Sequence, residues 1–331
     1  MKVRVAKAGL LTTLQDRGRD GCAMLGVGRA GAMDDVALRL ANALVGNEAG
    51  AAVLEITLIG PRLRFDTAAT IALTGAELGA HADGAEIGMW RPVDVAGGAV
   101  LDVGTARRGA RAYLAVRGGF DVASVLGSFS TDVNAGLGPL DGRALRDGDE
   151  LLVRGELGAR PPSPQPLSRG ERGFRNWSLD PRPWLDADAG HPIRLIRGAH
   201  FDALDARSRA AIFSEEFHIT SDSNRVGFRF DGPRLALAAP LELVSEPVTY
   251  GTLQLPPGGQ PIALMAEHPT IGGYPRIGQV AAIDLQRLAQ RRPGDAVRFE
   301  EIDLDAAQTR YLERERELAR LIATIGERLT A

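Results

Sequence analysis

Between residues 53 and 153 the sequence contains no stretch of ten residues in which apolar side chains recur at three- and four-residue spacing. Short apolar runs at 53–58, 62–65, 70–74, 100–103 and 111–116 alternate with turns such as Ile59-Gly60-Pro61, Ala82-Asp83-Gly84 and Ala96-Gly97-Gly98. Runs of this length bounded by glycine and proline predict strands, and so long a stretch without a crossover helix excludes a βαβ series. Forty glycines and 19 prolines are enough to punctuate such a sheet along its whole length.

The flanking sequence adds a few helices. Short strands are predicted at 3–6 and 10–14. The first helix spans 33–44, where Val36, Ala37, Leu40, Ala41 and Leu44 share a face, Asp34 and Asp35 suit the first turn, and Gly46-Asn47 stops the run. Residues 154–191 change character: Arg160-Pro161-Pro162-Ser163-Pro164-Gln165-Pro166 and a second Gly/Arg-rich stretch carry few spaced apolar residues and read as an extended linker. Trp177 and Trp184 are its pinning points or, alternatively, an aromatic docking element. A second β-rich unit follows, with a helix at 202–213, strands at 218–220, 227–230, 251–254, 261–265 and 296–299, and a short helix at 285–289 capped by Asp284. A terminal helix at 305–329 aligns Tyr311, Leu318, Leu321, Ile322, Ile325 and Leu329 in one stripe. The expected fold class is therefore mainly β with a few helices (α+β), divided into 1–155, a linker at 156–191, and 192–331. Gly60-Pro61-Arg62-Leu63 recurs as Gly232-Pro233-Arg234-Leu235, and Arg146-Asp147-Gly148-Asp149 has its counterpart in Arg292-Pro293-Gly294-Asp295.

Charge and rare residues exclude several functions. A net charge of −3 argues against a dedicated nucleic-acid binder. Lys2 and Lys7 are the only lysines, against 37 arginines, so no Walker A lysine, Schiff base or biotinyl-lysine exists beyond position 7. No apolar run approaches the roughly 18–20 residues that cross a bilayer. The N-terminus lacks a signal-peptide pattern, and Cys22, the single cysteine, suits a reducing compartment; the expected location is cytoplasmic. The five histidines have no metal-ligand spacing, so no metal site is expected, and no Gly-x-Ser-x-Gly elbow is present.

Gly26-Val27-Gly28-Arg29-Ala30-Gly31 is a literal G-x-G-x-x-G, and Glu55 lies where a ribose-binding acid would follow. The residues before it make a poor first strand and no strand–helix alternation follows, so a glycine turn that places the first helix is the better reading. The densest polar chemistry lies later. Ser221-Asp222-Ser223-Asn224-Arg225 gathers hydroxyl, carboxylate, amide and guanidinium groups; an Asx turn with Arg225 paired to a carboxylate is the structural alternative. Gln254 to Gln260 then runs from a strand into a turn. His268, Thr270, Tyr274 and Arg276 surround the paired glycines Gly272 and Gly273, which allow close backbone approach. His268, Thr270, Tyr274 and Arg225 are the catalytic candidates. Asp222, Asn224, Gln254, Gln260, Gly272, Gly273 and Arg276 are the binding candidates, joined by Ser130 and Thr131 of a hydroxyl-rich loop at 127–132. Tyr274→Phe and Arg225→Ala are expected to lower activity without unfolding the chain.

Several of these segments occur together in one family. Thr12-Thr13-Leu14-Gln15-Asp16-Arg17-Gly18-Arg19, Gly31-Ala32-Met33-Asp34, Leu54-Glu55-Ile56-Thr57, the 127–132 loop, the run from Gln254 to Pro261, and Gly272-Gly273-Tyr274-Pro275-Arg276-Ile277-Gly278 resemble the family of 5-oxoprolinase C subunits. This is also called the KipA or allophanate hydrolase subunit 2 type, and it is similar to the carboxyltransferase A and B subdomains of urea carboxylase. The resemblance implies two β-barrel-like subdomains, the second cyclophilin-like. It implies a hydrolase that works with a B-type partner (KipI or allophanate hydrolase subunit 1 type) and an A-type partner to open the lactam of 5-oxoproline, with ATP bound by the chain or by a partner. Two alternatives remain: a carboxyltransferase using biotin on a separate carrier, or a regulator of a kinase-inhibitor partner.

Overall fold

The computed structural model describes residues 1–154, 177–185 and 190–330, so most of the expected linker lies outside the described residues. The chain divides into two units. One comprises Met1–Gly18, Asp34–Asp186 and Ala319–Ala331; the other comprises Arg19–Met33 and Ala187–Leu318.

The first unit is built on a nine-stranded sheet: β1 (Lys2–Lys7), β2 (Leu11–Gln15), β3 (Val53–Thr57), β4 (Arg62–Phe65), β5 (Ala69–Ala82), β6 (Ala85–Ile87), β7 (Pro92–Val95), β8 (Val100–Val116) and β9 (Glu150–Leu152). The strands expected at 100–103 and 111–116 are the two ends of β8, a single 17-residue strand. Its polar middle, Thr105 to Arg108, hid the continuity. One half of β8 pairs with β4, the other with β3, and β5 follows it along almost its whole length through three irregularities in register. Alternation along β1 and β4 turns Val3, Val5, Leu63 and Phe65 into the core and leaves their arginines in solvent.

Helix α1 (Asp35–Leu44) packs on β5 and β8. It starts two residues later than the periodicity suggests because Asp34 is the cap, accepting from the Ala37 amide at 3.0 Å. Gly46, at φ 75°, ends it, and the Asn47 amide reaches back to the Asn42 carbonyl at 2.9 Å. The one later helical stretch of this sheet region, α2 (Pro139–Gly142), is a single turn with two left-handed residues. Trp177 lies under the Arg328 guanidinium, 5.8 Å from its ring centroid, and the Leu179 amide donates to the Trp90 carbonyl, so this described piece of the linker is pinned to the first unit.

The second unit is a closed antiparallel barrel with one parallel pair. Its strands are β10 (Ile193–Arg197), β11 (Glu216–Ile219), β12 (Gly227–Asp231), β14 (Thr252–Gln254), β15 (Ile262–Leu264), β17 (Arg276–Val280) and β18 (Ala296–Glu301). A separate ribbon pairs β13 (Glu246–Pro247) with β16 (Ile271–Gly272). Phe217, Phe230 and Phe299 meet edge-to-face or tilted at 5.6–6.4 Å and fill the barrel. The helix expected at 202–213 is broken: a 3-10 turn at Phe201–Ala203 gives way to extended Leu204, and Asp205 caps α3 (Ala206–Ser214) through the Ser208 amide at 2.6 Å. Next come α4 (Leu285–Ala289) and α5 (Leu304–Thr330). Asp284 precedes α4 as expected but makes no side-chain cap; it is fully buried and grips the Arg194 guanidinium through both oxygens at 2.7 and 2.8 Å. Along α5, Leu318 and Ile325 are buried, whereas Tyr311 is exposed and stacks on Arg314.

The recurrence of Arg146–Asp149 and Arg292–Asp295 is one turn used twice. In each, the aspartate accepts from the arginine amide at 2.8 Å and returns its own amide to the arginine carbonyl. Gly148 and Gly294 both sit at φ 90°, where a side chain would be strained.

Candidate functional site

The register of the barrel sorts the candidates of the second unit into two groups. Gly227 pairs with Leu264, so Arg225 and Glu267 lie beyond one end of β15; Gln254 pairs with Ile262 at the other end and with Arg276 of β17.

At the first end, Arg225 is 4% exposed, with its Nε 2.5 Å from Glu267 Oε1 and a terminal nitrogen donating to the Gly31 carbonyl at 2.7 Å. The glycine-rich 26–31 segment therefore presents a carbonyl to a cation, the opposite of amides presented to a phosphate. The Tyr250 hydroxyl donates to the Met33 carbonyl at 2.8 Å and fixes the end of the same segment. Asn224 Oδ1 accepts from the Val226 amide at 2.8 Å, so this residue makes the Asx turn that presents Arg225. Asp222 is exposed on that turn. Arg225→Ala would leave Glu267 charged and buried, so the pair changes the expectation for that variant from lost activity to lost stability.

His268 adjoins this pair in sequence and is 8% exposed. Its Nδ1 lies 2.7 Å from the Pro269 carbonyl, which can only accept, so Nδ1 carries the proton and Nε2 presents a lone pair when the ring is neutral. Burial lowers the His268 pKa from its ordinary value near 6.5, opposed by the Pro269 carbonyl and aided by Arg29. The unfolded chain thus takes up this proton at higher pH than the folded one. Stability is expected to fall as pH drops below about 6.5 towards the folded pKa, and this part of the slope to vanish in His268→Gln; urea unfolding at a series of pH values measures it.

At the other end, Gln254 is 5% exposed and its Nε2 has no hydrogen-bond partner. Gly272 of β16 lies directly against it: a Cβ there would collide with that nitrogen. Arg276 is held on three sides, by the Glu246 carboxylate, by the Pro247 carbonyl, and by His200 Nδ1, which accepts from its amide at 3.1 Å. Tyr274 is 45% exposed. Thr270 supplies the carbonyl that takes the Val248 amide at 3.1 Å, beside the ribbon. Gly273 is exposed, next to Ser245. Gln260 donates to the Gly232 carbonyl at 3.0 Å, which ties down a turn.

Ser130 and Thr131 belong to the first unit. Ser130 and Ser128 both donate to Asp16 Oδ1, at 2.5 and 2.6 Å, while the Phe129 amide donates to Oδ2 at 2.7 Å. Gly18 adds a fourth donor at 2.8 Å. The Thr131 carbonyl accepts from the Gln15 amide group at 2.9 Å. Asp16 and Glu267 are the residues that sequence reasoning left off its candidates: each lies in a quoted motif, but only the fold brings its partner within reach. Glu55 accepts from the buried Tyr113 hydroxyl at 2.8 Å, whose oxygen in turn takes the Asp34 amide, so this acid supports α1. Desolvation, together with Glu55 and Asp34, holds the Tyr113 phenol protonated, its pKa well above 10.0. Among the described residues no three His, Cys, Asp or Glu side chains form a metal-binding group.

A closed barrel that displays a carboxamide, a phenol and a guanidinium around paired glycines is a scaffold for gripping carbonyl compounds. The chain belongs to the family described as carboxyltransferase domain, subdomain A and B, which matches residues 25–301. It is 36% identical over 317 residues to the 5-oxoprolinase C subunit of Escherichia coli, covering 94% of this chain and 96% of that one. To the 5-oxoprolinase C subunit of Haemophilus influenzae it is 35% identical, with 89% of each covered. Among solved structures, Kluyveromyces lactis urea carboxylase superposes with a TM-score of 0.85 at 28% identity; the match covers 98% of this chain but only 29% of that protein.

Proposed function

We propose that the chain is the C subunit of an ATP-dependent 5-oxoprolinase, working with the A-type and B-type partners and inactive alone. The observation that carries this reading is the end-to-end match to two proteins named for that role, against a match to less than a third of urea carboxylase. In the proposed reaction the lactam oxygen receives the terminal phosphoryl group of ATP. Water then adds at the same carbon, the ring C–N bond breaks to free the amine, and phosphate leaves. Amide resonance makes direct attack slow, and phosphorylation converts the oxygen into a leaving group.

The arginines suggest where the nucleotide is not held. Arg225 is buried against Glu267 and Arg276 is paired with Glu246, so neither fits the role of a phosphate clamp, and we assign ATP to a partner chain. We assign the lactam to the Gln254 end of the barrel, where Tyr274 is accessible, and His268 and Arg225 to the support of the opposite end. No helix among the described residues is long and apolar enough to cross a membrane; we place the complex in the cytoplasm on the strength of the single cysteine.

The test is reconstitution. 5-Oxoproline-dependent phosphate release is expected from the three proteins together and not when this chain is omitted. Tyr274→Phe is expected to lower turnover about tenfold or more with an unchanged unfolding midpoint. Equal release without the chain would refute the assignment. Turnover with carboxybiotin and an acceptor would favour the carboxyltransferase reading suggested by the urea carboxylase match.

A further inference from the structure

We propose that the Gln254 carboxamide is the donor that recognises the substrate's amide carbonyl, and that the β13–β16 ribbon is a lid closed over it. The proposal rests on the oxoprolinase reading for the identity of the ligand, but not for the lid.

A buried N–H without an acceptor is a cost that folded proteins avoid, and Gln254 bears it on the middle strand of three. Replacement by an apolar residue of similar length would remove that cost, so the amide answers a need other than packing. What it lacks is one carbonyl oxygen. The element above it is glycine: Gly272 brings bare backbone against Nε2, flanked by the Val248 side chain. That arrangement suits a small flat ligand slipped between the carboxamide and the ribbon, its oxygen on Nε2 and its ring against Val248. A cyclic amide or cyclic urea has this shape.

The ribbon has the attachments of a lid. Two residue pairs join β13 to β16, and an exposed ion pair between Glu246 and Arg276 latches it. Arg276 is secured to His200 by backbone, so the latch releases at the Glu246 side. Extending the register sets Val244 across from Tyr274 and Ser245 across from Gly273. Val244, Ile271 and Tyr274 are all exposed, so the ribbon contributes little to the core and can lift without breaking it.

The pairing of Ser245 with Gly273 supplies a lock. Ser245 Oγ lies 3.4 Å from where a Gly273 Cβ would stand, close enough for a disulfide in Ser245→Cys/Gly273→Cys, made with Cys22→Ser. The experiment uses the full chain labelled with 15N, the Gln254 side-chain signal being identified by its loss in Gln254→Met. Titration with 5-oxoproline and 2-pyrrolidinone is expected to move that signal saturably, and Gln254→Met to weaken binding about tenfold or more, measured calorimetrically. Oxidising the locked variant is expected to abolish the shift and reduction to restore it. An unmoved Gln254 signal, or equal affinity in Gln254→Met, overturns the recognition role; equal affinity in the oxidised and reduced lock overturns the lid. A shift with 2-imidazolidinone but not with 5-oxoproline keeps carbonyl recognition and overturns the oxoprolinase reading instead.

Discussion

Glu267→Leu is expected to lower the unfolding free energy by about 3–5 kcal/mol, the scale for stranding one member of a buried ion pair. The side chains of Arg225 and Glu267 are 4% and 1% exposed, so water cannot replace the lost carboxylate. The guanidinium would keep its bond to the Gly31 carbonyl but not its counter-charge. Adding Arg225→Met should recover most of the loss, because a buried pair replaced by apolar side chains is nearly neutral, leaving about 1 kcal/mol for the Gly31 bond. Urea unfolding of the single and double variants measures both. A single variant as stable as the parent would mean that the pair is solvated, and the assignment of this end of the barrel to support would fall with it.

The second large effect is expected at Asp16→Ala, about 3 kcal/mol or more, since one carboxylate there satisfies two hydroxyls and two amides. The hydroxyls can turn to other acceptors; the Phe129 and Gly18 amides cannot. Hydrogen exchange at Phe129 should therefore accelerate more than at Leu14, whose strand is held by its own ladder with β3. Equal acceleration at both would show general loosening rather than a released loop. Asp16→Asn keeps one oxygen and should lie between the two.

Most of the architecture could be read from periodicity, because burial on one side writes itself into every second residue of a strand. The all-β region, α1 and α5 were legible for that reason. Three kinds of feature were not. The continuity of β8 was masked because its middle carries Thr105, Arg107 and Arg108, polar residues on a strand that needs only its ends buried. The strand Arg276–Val280 was read as part of a glycine-rich ligand loop, since Gly278 is required where Leu195 packs against it and resembles a turn glycine in sequence. Asp284 had the identity and position of a cap, but a guanidinium 90 residues earlier displaced the helix amides.

The candidate site was legible in residue types and not in grouping. Polar density drew attention to both Arg225 and Gln254, which the register of β15 then separates. No spacing along the chain can report that two loops join opposite ends of one short strand. Nor can it report commitment: Arg225 and Arg276 look like free cations until Glu267 and Glu246 are seen beside them. Gln254 is the reverse case, an amide on a buried strand that nothing in its sequence neighbourhood marks as lacking a partner.

The division of the chain carries a consequence for its synthesis. Residues Arg19–Met33 belong with a barrel whose first strand begins at Ile193. At about 5–20 residues per second, a ribosome delivers that strand on the order of ten seconds or more after the 19–33 segment emerges. Throughout that interval the segment's glycines, with Met24 and Leu25 among them, have no barrel to fold onto, and the carbonyl of Gly31 waits for an arginine not yet made. Nascent chains of this protein should accordingly hold a chaperone-accessible, protease-sensitive stretch near their N-terminus until translation is well into the second half of the message.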